Sequence, residues 1–226
     1  MLCQFTVKNF KSIRDEVTFD MQAAAISEHE DRIIIDKDEE KYLPVSAVYG
    51  PNGGGKSNVL AALHTLVAKV LRPLLATEDS EEKVLLQRKI IVEPFAFSKS
   101  KDEPTEFELF FRTTVSEYRY ILHVKRDIVL YESLDRVKLE TGRKSALFTR
   151  DENGIVLKGA FAKLKVSDEL SKTLTLLSYL GIAYKGNAVV KDVLSWFEYG
   201  IEFLNYGNPI PVSYTHLRAH ETLSDL

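Results

Sequence analysis

One cysteine, Cys3, is all that the 226 residues contain. No internal disulfide can form from it, and a thiolate zinc site is excluded. No run approaches the roughly 20 consecutive apolar residues that span a bilayer, and Lys8 and Lys11 interrupt the N-terminus before a signal-peptide core could form. The expectation is a protein without membrane contact at a reducing, cytoplasmic address. An excess of positive charge is missing too: 30 basic against 33 acidic residues, net -3, argue against a general basic coat for nucleic acid and leave only a local patch open. What is present is 45% apolar and 28% charged residues, the balance of a globular chain with room for one large domain or two small ones.

The C-terminal run Val212 to Thr222, VSYTHLRAHET, stands apart. Reverse-translated, it reads as the transposase adapter used to prepare shotgun sequencing libraries, and Pro211, Asp225 and Leu226 fit the bases that flank that adapter. The competing reading is a genuine amphipathic tail in which His216 and His220, four apart, could bind a metal. The adapter reading sets residues 211–226 aside and moves the net charge from -3 to -2, because Arg218, Glu221 and Asp225 leave with them. It makes the rest the N-terminal fragment of a longer protein, ending near Ile210.

Period-two alternation and β-formers mark strands at Leu2 to Phe10 and Glu16 to Met21, joined by the polar link Lys11 to Asp15. The run Ile33 to Ile35 suggests an edge strand, and Leu43 to Tyr49 a compact buried one. From Ser57 to Leu71 the apolar residues Val59, Leu63, Leu66, Val67 and Val70 share one face of a helix that should stop near Pro73. Ser80 offers a cap for a short helix to Gln87. The period then changes to two, with strands at Glu106 to Arg112, Tyr118 to Val124, Asp127 to Glu132, Lys144 to Arg150 and Ile155 to Leu157, the last after an Asn153-Gly154 turn. Two helices follow, Asp168 to Leu180 capped by Ser167 and Ala188 to Tyr199 capped by Asn187. The expected division is residues 1–160 as a lobe with a mixed or antiparallel sheet, 161–210 as the start of a helical region, and 211–226 as the foreign tail.

Gly50-Pro51-Asn52-Gly53-Gly54-Gly55-Lys56-Ser57 satisfies GxxxxGK[ST], the phosphate-binding P-loop, with Asn58 directly after it. A chance match in a chain of this length is expected in fewer than about one in fifty. The glycines let successive N–H groups turn toward phosphate oxygens, and a following helix N-terminus adds partial positive charge. Lys56 is the catalytic candidate, bridging the β- and γ-phosphates of ATP, and the Ser57 hydroxyl is the Mg2+ ligand.

FTVKNFKSI, VTFDM and LPVSAVYGPNGGGKSNVLAAL together resemble the N-terminal half of an ABC-type ATPase head of the RecF, SMC and OLD kind, and more narrowly the AAA-family ATP-binding proteins of that branch. The likeness is strongest over residues 1–71 and extends through EPFAF, TEFELFF and YRYIL. It implies an α/β P-loop NTPase that binds ATP with Mg2+ and pairs with a second copy of the head. It also implies hydrolysis through a Walker B aspartate and glutamate, and a role on DNA or RNA in repair or phage defence. A binding switch with little hydrolysis is the alternative. Neither Ile33-Ile34-Ile35-Asp36 nor Ile90-Ile91-Val92-Glu93 supplies a Walker B acid pair, no LSGGQ-like segment is present, and Gln87 is a poor Q-loop candidate. Truncation accounts for these gaps, since in such heads the missing elements lie further along the chain.

In the same resemblance Lys11 and Ser12 belong to a turn that approaches bound nucleotide. His64 and His123 are expected to be structural, and Tyr118 and Tyr120 to face the core rather than a base. Lys83, Arg88, Lys89, Lys99 and Lys101 are scattered cations for which a solvated face is the expectation over phosphate contacts.

Overall fold

The computed structural model describes residues 1–25, 30–75, 90–97, 102–167 and 170–204. The adapter-like run, Ser80, Gln87 and the cations Lys83, Arg88, Lys89, Lys99 and Lys101 lie outside them.

Strands β1 (Leu2–Lys8), β2 (Val17–Asp20), β5 (Thr105–Arg112), β6 (Ser116–Lys125), β7 (Ile128–Lys138), β8 (Lys144–Asp151) and β9 (Gly154–Leu157) form one seven-stranded sheet in the order β2-β1-β5-β6-β7-β8-β9. Every pairing in it is antiparallel. Alternation decides the faces: along β6, Tyr118, Tyr120, Leu122 and Val124 are fully buried while Arg119 and Lys125 face water. The two tyrosines are core residues, as their alternation predicts. A separate two-stranded ribbon pairs β3 (Ile34–Ile35) with β4 (Lys41–Tyr42).

Among the described residues three helices cover one face of the sheet: α1 (Lys56–Leu75), α2 (Leu176–Ala183) and α3 (Ala188–Tyr199). Leu63, Leu66 and Val70 of α1, Leu177 and Leu180 of α2, and Val193, Trp196 and Phe197 of α3 join Phe5, Phe107, Leu109, Phe111 and Leu134 of the sheet in one core cluster. Phe111 is its aromatic centre, with the rings of Trp196, Tyr118 and Phe197 at 4.6, 5.3 and 5.5 Å. By length and composition alone α1 could cross a membrane, but its Ala62, Leu63, Leu66, Val67 and Val70 face is taken up by this core.

Three sequence expectations are corrected. Leu43 to Tyr49 forms no strand: Val45, Val48 and Tyr49 are 76%, 50% and 89% exposed. A β-prone segment becomes a strand only when a neighbour accepts its backbone hydrogen bonds; the Leu43 amide donates to the Met21 carbonyl at 2.7 Å, but beyond it this segment has no such neighbour among the described residues. Helix α1 runs through Pro73 to Leu75; the proline nitrogen has no hydrogen to donate to the Lys69 carbonyl, and packing of Val70, Leu71 and Leu74 with the core outweighs that loss. Helix α2 begins at Leu176: Asp168, its expected start, lies outside the described residues, and residues 170–175 are not helical. Its cap is Thr175, whose hydroxyl accepts from the Ser178 amide at 3.1 Å.

That helix start is fixed from the sheet. The fully buried Glu132 on β7 accepts hydrogen bonds from the amides of Leu176 (2.6 Å) and Leu177 (2.9 Å) and from the Tyr120 hydroxyl (2.9 Å). Burial pushes its carboxyl above the ordinary value, and the two amides, Tyr120 and Arg150 pull against that rise. Arg150, 4.0 Å from Glu132, donates to the carbonyls of Leu174 and Ser171.

Arg112, at the end of β5, has a side chain only 6% exposed and is bonded to Asp36 (3.0 Å), Asp38 (2.7 Å) and Glu117 (2.7 Å), which ties the β3–β4 turn to the sheet. The hydrogen bond from Arg112 holds the Asp38 carboxyl below its ordinary value of 3.8. Stability from this pairing is therefore complete above that unfolded value and is lost as pH falls through the folded one. Arg112→Ala should lower unfolding free energy at pH 7 by about 2 kcal/mol and shrink the further loss between pH 5 and pH 3 in urea titrations. An unchanged acid loss in the variant would remove the Arg112 pairing as its source.

Candidate functional site

The loop at Gly50–Ser57 joins the exposed segment Leu43 to Tyr49 to α1. Its turns depend on glycine at two positions, Gly53 at φ +80° and Gly55 at φ +81°, a region other residues enter only with strain. The Gly54 amide donates to the Pro51 carbonyl at 3.1 Å and the Asn58 amide to the Gly55 carbonyl at 2.9 Å. Lys56 folds back over the loop it ends, its Nζ donating to the carbonyls of Gly50 (2.7 Å) and Pro51 (2.8 Å). The first turn of α1 carries no acidic side chain, so the positive end of the helix dipole and the Lys56 ammonium act together on one anion-accepting surface. Ser57 and Asn52 are both exposed.

Beside the loop lies an open cavity of about 520 Å³. Gly54, Gly55, Lys56 and Val59 line one side of it, and Ser12, Arg14, Asp15 and Val17 from the β1–β2 turn and the start of β2 also line it. Tyr49 and Phe95 contribute aromatic surface. The lining carboxylate, Asp15, is held in a two-pronged pair with Arg14 (Nε at 3.0 Å and Nη2 at 2.8 Å from Oδ2), and that hydrogen bond lowers its pKa.

The structure thus brings together most of the residues that the sequence singled out, Gly50 to Asn58 with Ser12, and adds Arg14, Asp15 and Phe95, which the sequence reading left aside. For Arg14 and Asp15 the signal was only proximity in sequence to the Lys11-Ser12 turn, and Phe95, far along the chain, carried none. Lys11 is held next to the site through its amide, which donates to the Glu93 carbonyl at 2.9 Å. Neither acidic look-alike lines the cavity: Asp36 is paired with Arg112, and Glu93, although its carbonyl holds Lys11, is not among the lining residues. The histidines are also elsewhere, His64 edge-on to the Phe203 ring at 5.0 Å and His123 against Tyr131 at 5.1 Å, where burial lowers its pKa. Among the described residues no cluster of three or more His, Cys, Asp or Glu is placed to hold a metal ion.

No curated protein matches the sequence. Residues 45–190 match the family described as AAA domain, putative AbiEii toxin, Type IV TA system. That span covers the P-loop, α1, the sheet from β5 to β9, α2 and the first residues of α3. With the P-loop and strands β5 to β9 inside the matched region, the chain belongs to this family and is an AAA-type P-loop ATPase domain, whose ligand is ATP, typically with Mg2+.

Proposed function

We propose that Gly50 to Asn58 is the phosphate-binding element of this ATPase, with backbone amides of Gly53 to Ser57 on the phosphates, Lys56 bridging β and γ, and Ser57 on Mg2+. The observation that carries the reading is the Lys56 ammonium already folded over the loop, bonded to the Gly50 and Pro51 carbonyls beside an acid-free helix start. The finer assignment is an ABC-type head of the RecF, SMC and OLD branch. It is supported by Asn52 in the loop and by an antiparallel sheet, rather than a parallel one, after α1. In this reading the exposed Leu43 to Tyr49 segment becomes a sheet strand when further chain packs beside it, and that chain supplies the Walker B acids. Two such heads then close on ATP in a cytoplasmic protein that acts on DNA or RNA in repair or phage defence. A defence setting is in keeping with the toxin named in the family description.

Titration with a fluorescent ATP analogue in Mg2+ should give saturable one-site binding that weakens at least about tenfold when EDTA removes the metal. Absence of saturable binding by the folded protein would refute the assignment. A clamp with little turnover is favoured in this chain by the lack, among the described residues, of an acid pair facing the loop. Phosphate release from residues 1–210 at or below the no-enzyme rate is the expected result, and turnover that depends on Lys56 would reverse it.

A further inference from the structure

The β1–β2 turn does more than form a wall beside the P-loop. Ser12 Oγ accepts a hydrogen bond from Asn58 Nδ2 at 2.6 Å, and a Cβ placed on Gly55 would lie 2.9 Å from the same oxygen. Asn58 is also bound through its own amide to the Gly55 carbonyl at 2.9 Å. Ser12, Asn58 and Gly55 thus close a small ring around the start of α1, and the two residues enclosed between the pinned pair are Lys56 and Ser57.

A turn can hold a loop only if it is itself held. Asn9, 1% exposed and at φ +56°, fixes this one. Its Nδ2 donates to the carbonyls of Glu103 and Pro104, each at 3.1 Å, its Oδ1 accepts from the Phe95 amide at 3.0 Å, and its carbonyl accepts from Thr105 Oγ1 at 2.6 Å. Phe10 and Ile13 exchange backbone hydrogen bonds at 2.8 and 2.7 Å, and both side chains are buried in the core. Ser12 therefore projects from a rigid base.

We propose that the Ser12–Asn58 hydrogen bond is a positioning contact for the phosphate-binding loop, setting the backbone of Gly55 to Asn58 so that Lys56 and Ser57 are aimed before nucleotide arrives. This rests on the nucleotide reading above. The contact costs the fold little when it is lost, because Ser12 is exposed and the base of the turn keeps its other bonds. Its value is in pre-organisation, which appears in affinity rather than in stability.

The test is a double-mutant cycle on binding of the fluorescent ATP analogue, with thermal midpoints measured alongside. Ser12→Ala and Asn58→Ala should each weaken binding about tenfold, with midpoints within about 2 °C of the parent, and the double variant should bind no more weakly than either single one. Ser12→Thr, which keeps the hydroxyl, should bind within about twofold of the parent. Parental affinity in Ser12→Ala, losses that add in the double variant, or a Ser12→Thr as weak as Ser12→Ala would each overturn the proposal while leaving nucleotide binding intact. If the parent itself binds no nucleotide, the underlying reading fails, and this one with it.

Discussion

Lys56→Ala should weaken binding of the ATP analogue by at least about a hundredfold. The ammonium sits at the mouth of the loop, and each hydrogen bond it makes to a charged phosphate oxygen is worth about 1.5–3 kcal/mol, so two account for roughly two decades of affinity. The same substitution also deletes the bonds to the Gly50 and Pro51 carbonyls, leaving the loop less ordered when the ligand arrives. Circular dichroism and the thermal midpoint should change little, since Lys56 lies at the half-exposed start of α1 and outside the core cluster. A suitable control is Lys144→Ala on the exposed start of β8, which should bind as the parent does. Equal affinity in Lys56→Ala and the parent would show that nucleotide, if bound, is held elsewhere.

The second large effect falls on stability. Glu132→Ala removes the acceptor for two helix-start amides and a tyrosine hydroxyl, and leaves Arg150 beside an apolar gap. Breaking a buried charged network at one member costs about 3–5 kcal/mol, a large share of the 5–15 kcal/mol that keeps a domain folded. The thermal midpoint should fall by about 10 °C for a chain of this size. Glu132→Gln separates shape from charge. The amide keeps the volume, but one acceptor oxygen becomes an NH2 group facing a donor, either the Leu176 amide or the Leu177 and Tyr120 pair, so part of the loss should remain. A midpoint within 2 °C of the parent in Glu132→Ala would mean that Thr175 alone fixes the start of α2.

The contrast between what was legible and what was not follows from distance along the chain. The P-loop could be read because its spacing is local, and α1 because its apolar stripe needs only a 3.6-residue period. The strands from β5 to β9 were legible because β5 and β6 alternate and each strand is joined to the next by a short turn, such as Asn153-Gly154 with Gly154 at φ +124°, although β7 continues past the expected end at Glu132 to Lys138. The start of α2 was not. The sequence reading puts the cap at Ser167, whereas the helix begins after Thr175, where Glu132, 44 positions before Leu176, holds the first amides. Leu43 to Tyr49 has the composition of a strand, but composition cannot supply the neighbour that would make it one. The Ser12–Asn58 contact spans 46 positions and leaves no periodic trace at all. The site was therefore legible by pattern where it is built from consecutive residues, while the turn that completes it was reached only through the family resemblance, which placed Lys11 and Ser12 near nucleotide.

The strand order also fixes a sequence of events. Strands β5 to β9 pair with their chain neighbours, so their loops close cheaply, whereas β1 must find β5 across roughly a hundred residues, with Phe5 opposite Leu109. The meander should gain amide protection first during refolding, and the β1–β2 hairpin should dock onto it afterwards. Docking carries Asn9 to its partners and Ser12 to Asn58, so the wall of the phosphate site is finished by the last large contact to form. The ability to hold nucleotide would then mark the end of folding, and ATP added to a refolding chain would select molecules that had completed it.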